Sequence, residues 1–167
     1  PDESQPMHDA AKYAQDHNVL VVASAGNTAT PELHYPAAYD EVIAVSATDS
    51  GDNLAWFSTF GEWVDLSAPG VNIYSTYPGN AYTYMSGTSM ACPHVTGVAA
   101  LAWSMYPNCD ADQIRWVLEH TADDLGEEGF DEFYGHGRVN AKKAVELLQH
   151  DVCIAECQCP SRIDPGK

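Results

Sequence analysis

With 24 acidic residues against 7 Lys and Arg in 167, the chain carries a formal net charge of −17, which repels phosphates and excludes nucleic acid as a partner. Its 45% hydrophobic residues suffice for one domain with a sizeable core. No apolar run reaches the roughly 18 residues of a membrane span, so none is expected. The start, PDESQP, has neither initiator Met nor signal peptide, and reads as a processed product, an excised piece or the tail of something longer.

The acids are scattered. That favours adaptation to concentrated salt, where screening lets like charges coexist, over divalent-cation binding. Two stretches carry no Asp, Glu, Lys or Arg: Asn18 to Pro31, and Leu66 to Cys109. In so acidic a chain these are expected to be buried, because ionised groups rarely are.

In chain order, MHDAAKYAQDH (7–17) predicts an amphipathic helix with Met7, Ala10, Ala11 and Ala14 on one face. NVLVVASAGN is an unbroken apolar run, the mark of a strand buried on both faces of a parallel sheet. EVIAVSATD is a second such strand and WVDLSAPG a weaker third; Pro31 and Pro36 break the loop between the first two. Helix followed by buried strand indicates α/β architecture. YTYMSG alternates and predicts a strand. Thr88 to about Met105 predicts a helix apolar nearly all round, hence central and buried, with Pro93 near its start. Asp110 can cap ADQIRWVLEHTA and Asn140 can cap AKKAVELLQH. Between them lies an acidic loop with six carboxylates from Asp123 to Glu132.

Ser89 stands at the start of the central helix in GTSMACPHVTG. Unpaired N–H groups and the helix dipole there suit a nucleophile whose own N–H helps hold an oxyanion. The plainer alternative is that Thr88 and Ser89 cap the helix. Small residues flank Ser89. Asn27, in SAGN, ends a buried strand at the carboxyl end of the sheet, where ligands of open α/β sheets bind. Its carboxamide is a suitable oxyanion donor. His94 lies five residues after Ser89 on one helix, so their side chains diverge, and it reads as a buried histidine with a hydrogen-bonded partner.

GTSMACPHVTGVAAL closely resembles the nucleophile segment of the subtilisin-like serine peptidases, the subtilases, and VVASAGN resembles their oxyanion-asparagine segment. YPAAYDEVIAVSATD, FSTFGEWVDLSAPGVNIYST and YGHGRVNAKKAV follow in the family's order, so the resemblance runs from about Met7 to Leu148. It implies a three-layer α/β subtilisin-like fold, a mostly parallel sheet flanked by helices, incomplete because it matches only the family's C-terminal half. The division expected is 1–148 as that portion of a catalytic domain and 149–167 as a Cys-containing tail. The resemblance implies a serine endopeptidase acting on polypeptides through an acyl-enzyme on Ser89. Asn27 and the Ser89 N–H would be its oxyanion donors, Ser24, Ala25 and Gly26 its substrate-pocket strand, and Pro36 a cis proline. No cofactor is required for the chemistry, and an extracellular location is implied.

In the family the triad runs Asp, His, Ser along the chain. Asp49-Ser50-Gly51 and His136-Gly137 imitate the missing members but stand in the wrong place, the first after Asn27 and the second after Ser89. Both are read as non-catalytic. The acid and base are therefore expected upstream of Pro1, in an N-terminal half that would be this chain's partner, and the chain alone is expected to be inactive. The rival expectations are a non-catalytic peptide-binding relative and a processed structural half. Ser86 departs from the Asn common at its position. A structural calcium could use carbonyls of Ala37, Tyr39 and Val42 with the carboxylate of Asp65, but Trp63 stands where a second acid is often found. Among five cysteines, Cys153, Cys157 and Cys159 cluster with His150 and could make a metal site, but C-x3-C-x-C is not a standard zinc spacing, and a tail stapled by disulfide or cut mid-module is the simpler reading.

Overall fold

The computed structural model describes residues 2–150, with side chains as far as residue 148. The cysteines of the tail lie outside the described residues. The chain opens with α1 (Gln5–Asp16), followed by three strands, β1 (Val21–Ser24), β2 (Val42–Thr48) and β3 (Leu66–Pro69). These form one parallel sheet in the order β1-β2-β3. A two-stranded antiparallel hairpin follows, β4 (Ile73–Tyr77) and β5 (Ala81–Met85), and then α2 (Thr88–Met105), α3 (Ala111–His120) and α4 (Ala141–His150).

The alternation of β2 sets the layers. Ile43, Val45 and Ala47 point to one face, where they pack with Leu66 and Ala68 of β3. Ala91, Val95, Ala99 and Ala102 of α2, Ile114, Val117 and Leu118 of α3, and Ala144 and Leu148 of α4 complete that core. Val42 points to the other face, against Ala11 of α1 and Tyr39. Ser46, on the same side, donates to the carbonyl of Phe133 at 2.9 Å, so the 122–138 loop covers the rest. Helices thus lie on both faces of a parallel sheet, the three-layer arrangement expected. The predicted caps are present. Asp110 and Gln113 form a reciprocal capping box, and Asn140 Oδ1 accepts from the Lys143 N–H at 3.0 Å.

Several expectations need correction. In α1 only Ala11 is fully buried and Met7 and Ala10 are exposed, because the helix meets the rest of the molecule along one narrow stripe. There the Tyr39 ring stacks on His8 at 4.3 Å and its hydroxyl donates to the Ser4 carbonyl. β1 is half-buried along its length, whereas β2 is buried throughout. Its apolar run gives the right element but the wrong surroundings, since β1 has no strand on its outer side among the described residues. The outer edge of β3 is closed by the chain after the acidic loop: Ser67 N–H donates to Gly137 O at 2.9 Å and Val139 N–H to Ser67 O at 3.0 Å.

The second charge-free stretch is not buried as a whole. Tyr74, Tyr77, Tyr82, Tyr84 and Met85 of the hairpin are exposed. β4 was not predicted, because Ile-Tyr-Ser-Thr-Tyr has no clean apolar alternation. The turn between its strands is Pro78-Gly79-Asn80, with positive φ at Gly79 and Asn80. α2 begins where expected, but it is not buried all round. The side opposite Ala91 and Val95 leaves His94, Gly97, Ala100 and Leu101 exposed.

Candidate active site

The parallel strands end on one edge of the sheet, and α2 starts there. Gly87 N–H donates to Gly70 O at 2.8 Å, fixing the helix start to the end of β3. A Cβ at position 70 would lie 2.6 Å from that of Ala47 and 2.9 Å from the Gly87 carbonyl, so this approach requires glycine. On the β1 side, Gly26 (φ 113°) turns the chain so that its N–H donates to Thr88 Oγ1 at 3.1 Å.

Thr88 is the residue whose role the sequence did not show. It is fully buried and does not cap the helix: the N-cap is Gly87, without a side-chain cap bond. Its hydroxyl accepts from Gly26 N–H and donates to Asn27 Oδ1 at 3.0 Å, and its own N–H donates to the same Oδ1 at 2.9 Å. Because a backbone N–H can only donate, the Asn27 atom facing it must be the carbonyl oxygen. The NH2 of Asn27 is thereby left without a partner among the described residues, on an exposed residue.

The first N–H groups of α2 are sorted in the same way. Thr88 N–H is taken by Asn27 and Met90 N–H by Gly87 O at 2.9 Å, while the Ser89 N–H has no partner among the described residues. Ser89 is exposed, and its hydroxyl has no hydrogen bond among the described residues. A hydroxyl and two outward-facing donors therefore share one helix start, where the dipole favours negative charge.

The remaining sequence candidates fall into two groups. Ser24, Ala25 and Gly26 adjoin the site, but Ala25 and Gly26 are buried. Ala25 N–H donates to Val45 O and Gly26 O accepts from Thr59 N–H, so Ser24 is the one of the three that is part-exposed. A cavity of about 370 Å³ lies beside Ser89, walled by Ile73, Ser75, Thr83 and Met85 of the hairpin and by Met90, Pro93 and His94 of α2; none of Ser24, Ala25 and Gly26 lines it. Ser86, at the departure from the family pattern, accepts from Asn72 N–H at 2.9 Å and closes the base of the hairpin. The Tyr35–Pro36 bond is cis.

His94 is exposed rather than buried, with Nδ1 2.8 Å from Met90 O one turn back. Five residues of helix rotate it about 140° from Ser89 beyond a full turn, so the two side chains diverge. Asp49 is engaged locally: Oδ1 accepts from the N–H groups of Gly51 and Asn53, which holds its carboxyl below the usual range. His136 sits at the other end of the sheet, its N–H on Asp65 O at the start of β3, about 16 Å of extended chain from Gly70. Burial lowers its pKa despite Glu119 at 3.9 Å. Neither reaches Ser89 as a base.

The calcium expectation also meets an obstacle. Both oxygens of Asp65 are engaged, Oδ1 with Arg115 Nη2 and Oδ2 with Ala44 N–H at 2.7 Å. Arg115 Nη1 donates to Asp40 O at 3.0 Å and lies 3.4 Å from Val42 O. A guanidinium thus stands between the carbonyl and the carboxylate a cation would need, and this donor set does not fit calcium. Burial pushes Asp65 up to about 6, against the pull of Arg115 and the Ala44 N–H.

The profile described as the subtilase family (peptidase S8) matches residues 1–137. Subtilisin DY of Bacillus licheniformis is 45% identical over 150 residues, 87% of this chain and 54% of that protein. Thermitase of Thermoactinomyces vulgaris is 47% identical over 140 residues, 84% and 49% of the two chains. Among solved structures, a lanthipeptide protease superposes with a TM-score of 0.82 at 30% identity, covering 86% of this chain and 55% of that one. The chain spans about half the length, or less, of the curated relatives it matches. With its α/β subtilisin-like fold and a subtilase profile covering most of its length, the chain belongs to the subtilase family.

Proposed function

We propose that the chain is the nucleophile-bearing part of a serine endopeptidase. Ser89 Oγ attacks the peptide carbonyl carbon, its proton passes to a base and then to the leaving amine, and water later hydrolyses the acyl-enzyme. The observation that carries this is the pair of unengaged donors beside Ser89. The Asn27 NH2, oriented by Thr88, and the Ser89 N–H would bind the oxyanion. Ser24, with Ala25 and Gly26 behind it, forms one wall of the pocket for the residue before the scissile bond.

The acid and base come from a segment not in this sequence. The open edge of β1 and the exposed side of α2 support that reading, being apolar and charge-free yet uncovered. Substrates are polypeptides, the enzyme is secreted, and the −17 charge suits concentrated salt. No helix among the described residues is long and apolar enough to cross a membrane. The chemistry itself uses no metal. The test is turnover of a chromogenic peptide. A longer protein with the upstream segment turns over and its Ser89→Ala variant does not, while this chain alone is silent. Turnover by the chain alone, lost on Ser89→Ala, contradicts the reading. One observation favours a non-catalytic peptide binder instead: no described base contacts Ser89. Silence of the longer protein would select it.

A further inference from the structure

Five of the histidines have a polar partner. His8 pairs with Glu41 at 3.0 Å, the Nδ1 atoms of His17, His94 and His120 meet backbone carbonyls at 2.7 to 2.9 Å, and His136 lies 3.9 Å from Glu119. His34 differs. It is half-buried, yet its ring nitrogens have no hydrogen-bond partner among the described residues.

The ring lies against the strand end that adjoins Ser89. A Cβ on Gly26 would stand 3.0 Å from Thr59 Oγ1 and 3.2 and 3.3 Å from Cγ and Cδ2 of His34. The imidazole is therefore within about 5 Å of Gly26 Cα, and Asn27 Cα is one peptide, about 3.8 Å, farther along the chain. Gly26, with φ 113° and no side chain of its own, leaves room beside the site that the His34 ring fills. Thr59 is engaged elsewhere: its N–H donates to Gly26 O at 3.0 Å, and its hydroxyl accepts from Thr28 N–H at 3.1 Å and meets Thr28 Oγ1 at 3.0 Å. The backbone of His34 is held from behind, its carbonyl accepting from Ala38 N–H at 2.9 Å while Tyr35 packs on Tyr39 at 4.6 Å. The ring is thus placed by the fold, and its polar atoms are left for a ligand.

The ring chemistry says which ligand. Burial lowers the His34 pKa, so near pH 7 the imidazole is neutral, with one nitrogen donating and the other accepting. Asn18 to Pro31 carries no charge, and Glu32, the charged residue nearest in sequence, is exposed. A carboxylate here would lack a positive partner, and a hydrocarbon would leave both ring nitrogens unpaired. An uncharged group that both donates and accepts satisfies the site. We propose that His34 sets substrate preference, selecting glutamine, with its carboxamide, as the residue before the scissile bond. Ser24, Ala25 and Gly26 flank that side chain and the imidazole meets its tip. This rests on the peptidase reading above and names the substrate it favours.

The test uses the longer protein and three chromogenic peptides that differ only in the residue before the scissile bond: glutamine, methionine of similar shape without the polar end, and glutamate. The expected kcat/KM for glutamine exceeds each of the others about tenfold, the worth of one well-formed hydrogen bond. In His34→Ala the glutamine-to-methionine ratio falls to about one, and in His34→Gln, which keeps a donor and an acceptor, part of it returns. A ratio near one in the parent, a ratio unchanged in His34→Ala, or a preference for glutamate overturns the proposal. If none of the three is cleaved, the peptidase reading fails instead. The pocket is then read by proton NMR of the same protein, with the His34 ring signals assigned by their loss in His34→Ala. Peptide amides ending in glutamine should shift those signals and the methionine peptide should not; no shift with either, or equal shifts with both, overturns the proposal.

Discussion

The two edges of the sheet carry similar sequences and have opposite surroundings. At β3 the outer edge is bonded to residues 137–139, and Arg115 ties α3 to Asp65 and Asp40. At β1 the outer edge has no strand among the described residues, the side chains are half-buried, and the adjoining side of α2 shows Ala100 and Leu101 to solvent. Both edges are apolar and largely uncharged. Apolar sequence thus marks surface meant to be covered, without showing whether the covering chain is present.

Perturbing the two sides should give unequal effects. The largest is expected from Arg115→Ala, which leaves Asp65 and Glu119 without their guanidinium in a largely buried site. Breaking such a pair costs about 3–4 kcal/mol, readable as a lower midpoint in urea unfolding. A loss under about 1 kcal/mol would place the clasp among ordinary surface pairs.

Asp123→Asn comes next. Its carboxylate receives Lys143, Arg138 and Asn140, and these bonds hold its pKa well below the usual carboxylate range. A carboxyl with a lowered native pKa stabilises the fold above the unfolded value, about 3.9, and this is lost as pH falls through and below it. The variant should be less stable by about 2 kcal/mol near neutrality. Its acid unfolding should be shallower than the parent's; an unchanged acid limb would show that Asp123 is not among the groups driving it.

The smallest effect is expected from Val22→Ala in β1. Val22 only borders the core, so the loss should be about 1 kcal/mol in this chain. Joined to the upstream segment, the same substitution should cost about 2 kcal/mol or more, as for a fully buried site. Equal losses in the two contexts would mean that nothing covers β1.

The meeting of Ser89 and Asn27 was legible in outline, because GTSMA and SAGN set both among small neighbours at a helix start and a strand end, and the structure brings those two segments together. The buried strand β2 was legible from its unbroken apolar run. Thr88 was not, since a threonine before a helical serine looks like a cap, and only the meeting of two segments 61 residues apart shows that it orients Asn27. His94 was expected to be buried in a helix read as apolar nearly all round, yet among the described residues one side of that helix is exposed. The hairpin failed for the same reason: freedom from charge was read as burial, and its tyrosines face solvent. Asp65 looked like a cation ligand until Arg115, 50 residues later, was found on it.

The central claim is that Ser89 has its oxyanion donors in this chain and its base outside it. Labelling with a fluorophosphonate reads that directly, because the reagent reacts with an activated serine. The account predicts rapid modification of Ser89 in the protein extended by its upstream segment, slowed about 10²–10³-fold by Asn27→Ala, and almost none in this chain alone. Equal labelling of Ser89 with and without the upstream segment would contradict it.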